Sequence, residues 1–149
     1  MLPRFKYTSI KELKYLAYHD SMTGLLNRNW LYKNLDSLTH DYVYFIDINN
    51  LKEVNKEGHT TGDAYIKEIV ERIKDLLYSP KDIFIRYAGD EFIVLTNENY
   101  TLCLESCKLY AVGFYKNNGN VMEAINVLDA INAADKDMIK EKEKFKAGN

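Results

Sequence analysis

The stretch Ile85-Arg-Tyr-Ala-Gly-Asp-Glu-Phe-Ile-Val-Leu95, IRYAGDEFIVL, sets two apolar, β-leaning runs on either side of Ala-Gly-Asp-Glu. It predicts strands over 83–87 and 92–95 joined by a tight hairpin, with Gly89 suited to a positive φ in the turn. The turn carries adjacent carboxylates, Asp90 and Glu91. Upstream, Tyr42-Val-Tyr-Phe-Ile-Asp47 is nearly all apolar, so it reads as a central strand covered on both faces and ending on Asp47. If strand and hairpin pair, Asp47, Asp90 and Glu91 meet at one sheet edge. Such anions repel one another unless a cation sits among them, and hard oxygen ligands select Mg2+ or Mn2+. Carboxylates with such a metal on adjacent strands suit phosphoryl and nucleotidyl transfer. A Gly-Asp-Glu hairpin alone is more simply a solvated turn.

The elements around this pair follow from periodicity. Ser9 to His19 reads as a helix, with Ser9 as cap and Glu12 three residues on. Asp20 to Arg28 is a turn-rich link, and a second helix is expected over about 29–38. Ile66, Ile69, Val70, Ile73, Leu76 and Leu77 mark a helix over 63–78, stopped by Ser79-Pro80. A further strand is expected over 108–115 and a long helix over about 121–145, with Ala124, Leu128, Ile131, Ala134, Met138 and Ile139 on its apolar face. The order α-α-β-α-β-β, a short piece, then β-α predicts an α+β fold, a sheet with helices on it, in one domain over 1–149.

A chain of 149 residues, 46% hydrophobic and 28% charged, is long enough to bury one core. The formal net charge of -2 gives no basic field for nucleic acid. No apolar run is long enough for a membrane span, so a cytoplasmic protein is expected. Cys103 and Cys107 would share a face if their segment is helical. They read as two buried or half-buried thiols, since no suitably spaced histidines complete a zinc site.

Four motifs occur in order: Asp20-Ser-Met-Thr-Gly-Leu-Leu-Asn-Arg28, Asp47-Ile-Asn-Asn-Leu-Lys-Glu-Val-Asn55, Gly58-His-Thr-Thr-Gly-Asp63 and Arg86-Tyr-Ala-Gly-Asp-Glu-Phe92. Together they resemble the GGDEF domain family, the diguanylate cyclases, over about 16–146, which implies a palm-like, mostly antiparallel central sheet with flanking helices. The resemblance implies condensation of two GTP into cyclic di-GMP with release of pyrophosphate, by a homodimer that sets two loaded half-sites face to face. It implies metal binding by Asp47, Asp90 and the Ile48 carbonyl, with Glu91 assisting the metals or deprotonating the ribose 3′-OH. Asn55 and Asp63 match the guanine readers. A carboxylate can accept from both guanine N1–H and the exocyclic amine, a donor pair that adenine lacks. Lys52, Lys142 and Lys146 match the cations for the triphosphate, and the turn at Gly89 leaves room for phosphate oxygens. The bland alternative for these lysines is a solvated helix face, the reading preferred for Lys144. Asp20 and Arg28 are expected to hold the amino-terminal turn.

The sequence departs from the family pattern in four places. Ala88 replaces the first glycine of the signature, which a negative φ would tolerate. The segment from Asn55 to His59 is one residue short, which bears on base selection. The usual helix after the signature hairpin is missing, since only about a dozen residues separate Leu95 from the next strand. The product-inhibition positions read Ser79-Pro-Lys-Asp82, with no arginine, so feedback binding there is not expected. A chain with no dimerisation module ahead of the first helix is expected, and with it pairing through the domain's own surface or a regulatory protein. Two alternatives stay open: a GTP-binding regulatory module without turnover, and a cyclase of altered base specificity.

Overall fold

The computed structural model describes residues 9–117 and 126–147. Five strands form one sheet: β1 (Leu26–Asn27), β2 (Tyr42–Ile48), β3 (Ile83–Arg86), β4 (Glu91–Thr96) and β5 (Tyr110–Lys116). Their order across the sheet is β1-β3-β4-β2-β5, and only β1 and β3 run parallel. The helices are α1 (Ile10–Tyr18), α2 (Arg28–Asn34), α3 (Leu51–Asn55), α4 (His59–Leu76) and α5 (Val127–Ala147). The expected α+β sheet with flanking helices is therefore present.

Strand β2 is apolar throughout because both of its faces are covered. Tyr44, Ile46 and Ile48 pack with Ile66, Ile69, Val70 and Ile73 of α4 on one side. Val43 and Phe45 pack with Ile131, Ala134 and Met138 of α5 on the other. This alternation puts the next odd residue, Asp47, on the α5 face. A Cβ built on Gly113 of β5 would lie 2.0 Å from the Met138 backbone nitrogen, so α5 rests directly on the strand.

The helix expected from Asp63 begins earlier, at His59, after Gly58 absorbs the chain reversal at φ 118°. The short α3 and the two-residue β1 give too few residues for a periodic signal, and neither was expected. Helix α5 starts at Val127, and Ala124 and the other residues of 121–125 lie outside the described part. Ile139 was expected on its apolar face but is exposed, about 100° round the helix from buried Met138.

No helix follows the hairpin. The connection from Thr96 to Tyr110 is built of turns, so the same-face argument for Cys103 and Cys107 does not hold; Cys103 is exposed and Cys107 half-buried. Buried Tyr100 anchors this connection. Its N–H donates to the Tyr44 hydroxyl at 2.7 Å, and its own hydroxyl accepts from the Tyr78 and Ser79 N–H groups and donates to Asp82. The other Asp82 oxygen accepts from the Thr96 hydroxyl. Both Asp82 oxygens are thus engaged inside the fold.

Candidate active site

Register builds the site. Asp47 of β2 lies directly opposite Glu91, the first residue of β4, and the Ile48 N–H donates to the Asp90 carbonyl at 2.9 Å. Cross-strand partners share a face, so Asp47 and Glu91 both look toward α5. The hairpin is closed by the Tyr87 and Ala88 N–H groups, which donate to the Glu91 carbonyl. Arg86 braces it from outside. One guanidinium nitrogen donates to the Gly89 carbonyl at 2.8 Å, and another donates to Asp20 at 3.1 Å. Asp20 also accepts from the Thr23 N–H and hydroxyl. Burial opposes its ionisation, but these bonds and Arg86 hold its carboxyl below the ordinary value. Asp20 therefore holds the amino-terminal turn, as expected, and through Arg86 also supports the hairpin, while Arg28 lies over the Tyr87 ring at 3.9 Å.

One expectation about the turn needs correction. Gly89 does not have a positive φ; among the described glycines only Gly24 and Gly58 do. A Cβ on Gly89 would meet nothing within 4 Å, so its small size leaves open space instead. Ala88 likewise avoids positive φ, which is why the signature tolerates alanine there.

The carboxylates do converge electrostatically. Burial pushes the Glu91 carboxyl up, and Asp47, Asp90 and Asp135 push it further. Burial also raises Asp47, against the stabilising bond from Lys142. Lys142 donates to Asp47 Oδ2 at 2.7 Å, while Asp47 Oδ1 is buried without a hydrogen-bond partner among the described residues. A buried, unpaired acceptor of this kind costs about 1–3 kcal/mol. Among the described residues no three acidic, histidine or cysteine side chains form a closed cage for a metal. The oxygens available to a cation are Asp47 Oδ1 and the carboxylates of Asp90 and Glu91.

Asp135 was missed by the sequence reading. It lies on α5 seven residues before Lys142, two helical turns along the same face, and that spacing was the available signal. Burial raises its carboxyl.

A cleft of about 660 Å³ opens beside the hairpin, lined by Ile48, Asp90, Lys52, Lys142 and Lys146 among others. It therefore gathers five of the expected site residues. Asp47, Gly89, Glu91, Asn55 and Asp63 are not in its lining. Asp63 is exposed on α4, and the Asn55 carboxamide is pressed onto Gly62, where a Cβ would come within 1.7 Å of Asn55 Oδ1. Lys144 is solvated and paired with Glu141, as expected.

The family model described as "Diguanylate cyclase, GGDEF domain" matches residues 17–108, and the chain belongs to this family. It is 37% identical over 94 residues to the diguanylate cyclase DgcP of Escherichia coli K12, an alignment covering 56% of this chain and 27% of that protein. It is 34% identical over 94 residues to the cyclic di-GMP phosphodiesterase NbdA of Pseudomonas aeruginosa, covering 57% of this chain and 12% of NbdA. A solved microbial GGDEF domain, described in an interaction with cyclic di-GMP, superposes with a TM-score of 0.72 at 27% identity, covering 89% of this chain and 94% of that one. The chain thus spans about a quarter or less of the length of these two curated relatives. Among the described residues no helix is long and apolar enough to cross a membrane.

Proposed function

We propose that this chain is a nucleotidyltransferase of the diguanylate cyclase type, condensing two GTP into cyclic di-GMP and releasing pyrophosphate. The observation that carries the reading is Asp47: its Oδ1 is buried with no hydrogen-bond partner among the described residues, directly across from Glu91, and next to Ile48 and Lys142 of a lysine-lined cleft. The donor set fits Mg2+ or Mn2+. Mg2+ is usually held by one or two carboxylates together with waters and substrate phosphates, so an incomplete protein cage is its ordinary condition. Asp47 and Asp90 would hold it, with the Ile48 carbonyl beside them. Bound there, the metal neutralises charge on the phosphoryl group and lowers the pKa of the attacking hydroxyl.

The chain's own residues do the rest. Lys52, Lys142 and Lys146 bind the triphosphate and orient its α-phosphate beside the hairpin. A ribose 3′-OH from the nucleotide of a facing protomer attacks that phosphorus. The new P–O bond forms as the bond to the β-phosphate breaks, and pyrophosphate leaves. Glu91 takes the hydroxyl proton, and its raised pKa brings it nearer to working pH, as a general base requires. The same transfer in the opposite half-site closes the ring, so the active form is a homodimer.

Incubation of the folded protein at high concentration with GTP and Mg2+ or Mn2+, followed by product analysis, tests this reading. Cyclic di-GMP or linear pppGpG is the expected product, and absence of both defeats the catalytic claim. One observation favours a second reading, a GTP-binding regulatory module: Asn55 packs against Gly62, next to Asp63, and neither Asn55 nor Asp63 lines the lysine cleft. Calorimetric GTP binding without turnover is its signature. Competition of ATP against GTP then reports whether Asn55 and Asp63 select guanine.

A further inference from the structure

Lys52, Lys142 and Lys146 have places in the proposed reaction, but the cleft contains a fourth lysine that none of the motifs supplies. Lys108 lies in the helix-less connection between β4 and β5, yet it lines the same cleft. Its backbone is pinned there. Asn49 Nδ2 donates to the Cys107 and Lys108 carbonyls, each at 3.2 Å, and the Asn49 N–H donates to the Leu109 carbonyl at 2.9 Å. Asn49 directly follows Ile48, so this clamp ties the connection to the strand end that presents Asp47. On the far side, the Val112 N–H donates to the Ser106 hydroxyl at 2.9 Å. The Lys108 side chain is exposed, and its ammonium makes no ion pair among the described residues. Four lysines then face the cleft against two acids in its lining, Glu53 and Asp90. That excess suits a polyanion.

We propose that Lys108 is a phosphate-binding residue of this cleft, delivered by the shortened connection to contact the terminal phosphates of the nucleotide. The proposal rests on the nucleotide reading above for the identity of the ligand, and on the clamp for the position of the charge. Lysine suits the role because its ammonium is a compact point charge that needs no fixed approach angle. A backbone held at three bonds has less freedom to lose on binding, so more of the contact appears as affinity.

The test is calorimetry on the full chain with Mg2+, using two probes: GTP and inorganic tripolyphosphate. Lys108→Ala is expected to weaken both by about tenfold, the equivalent of about 1.4 kcal/mol. Lys108→Arg keeps most of the affinity, and Lys144→Ala, outside the cleft, changes neither. Asn49→Ala releases the clamp and is expected to weaken tripolyphosphate similarly, with the double variant no worse than either single one, as coupled sites require. Cys107 lines the same cleft, so its alkylation relative to Cys103 gives an occupancy readout independent of turnover: tripolyphosphate slows it in the parent chain and slows it less in Lys108→Ala. If Lys108→Ala binds tripolyphosphate as well as the parent chain does, the proposal fails while the GTP reading stands. If tripolyphosphate binds in a Lys108-dependent way but GTP does not bind, the proposal stands and the GTP reading fails. If the parent chain binds neither, both are overturned.

Discussion

Replacing Lys142 with alanine or methionine should move two affinities in opposite directions. In the structure its ammonium already engages one oxygen of the carboxylate proposed to hold the metal, donating to Asp47 Oδ2 at 2.7 Å. Any divalent cation that takes Asp47 must displace this ammonium or sit beside it. The Lys142 side chain is 34% exposed and Asp47 13%, so the pair is partly screened. A hydrogen bond to a charged group is worth about 1.5–3 kcal/mol, and solvent access argues for the lower end or a little below. Removing about 1.4 kcal/mol of competition tightens Mn2+ binding in the absence of nucleotide by about tenfold. The same substitution removes an ammonium from the triphosphate, so Mg2+-tripolyphosphate should bind about tenfold more weakly. Free Mn2+ can be followed by electron paramagnetic resonance and tripolyphosphate by calorimetry, with a thermal melt to show that each variant is folded. Mn2+ affinity that is unchanged or lower in both variants would refute the idea that Lys142 holds the metal position in reserve.

Four further outcomes can be checked. Asp47→Asn and Asp90→Asn should each abolish cyclic dinucleotide formation in a product assay while the far-ultraviolet spectrum stays that of the parent. Glu91→Gln should abolish turnover and raise the metal-free melting temperature, because it removes a charge that burial and three neighbouring carboxylates disfavour. A raised acid pKa means the native state resists ionisation; stability tied to this group is present at low pH and is lost as pH rises through its raised pKa. The melting gap between Glu91→Gln and the parent should therefore narrow on acidification, and a gap that widens contradicts the assignment. Tyr100→Phe should destabilise the fold by about 1–3 kcal/mol in urea titration, since it strips a partner from Asp82 and from two backbone amides. Gly113→Ala places a methyl group 2.0 Å from the Met138 nitrogen and should cost about 1–3 kcal/mol or more by forcing α5 off the sheet.

Much of the architecture was legible because strong periodic signals coincide with burial. Strand β2 read as central because every residue from Tyr42 to Ile46 is apolar, and each is buried. Helix α4 read as a helix from four isoleucine and valine positions that all pack against the sheet. Position within the sheet was less legible. Nothing local says that Leu26 and Asn27 pair in parallel with Ile85 and Arg86, since two residues carry no alternation. Nor does local sequence announce α3, which depends on the αL conformation of Asn50 and on packing against α4. The start of α4 was misplaced because Gly58, at a φ that favours glycine, lets the helix begin directly at His59.

The site shows the same division between local signal and tertiary placement. Asp47, Asp90 and Glu91 were readable because strand ends and a hairpin fix where backbone leads side chains. Asp135 and Lys108 were not, because each reaches the site through a contact distant in sequence: α5 lying on Gly113, and Asn49 reaching residues 107–109. Asn55 is present in the motif and lies against Gly62, outside the lining of the cleft. Asn55 and Lys108 both sit beside shortened segments. Shortening the chain on either side of the carboxylates leaves β2 and β4 untouched, because the Asp47–Glu91 register is held by the strands themselves. What shortening can alter is the periphery: the loop that follows Asn55 and the connection that carries Lys108. On the proposed reading, the metal and phosphate chemistry should therefore tolerate these departures better than base selection does.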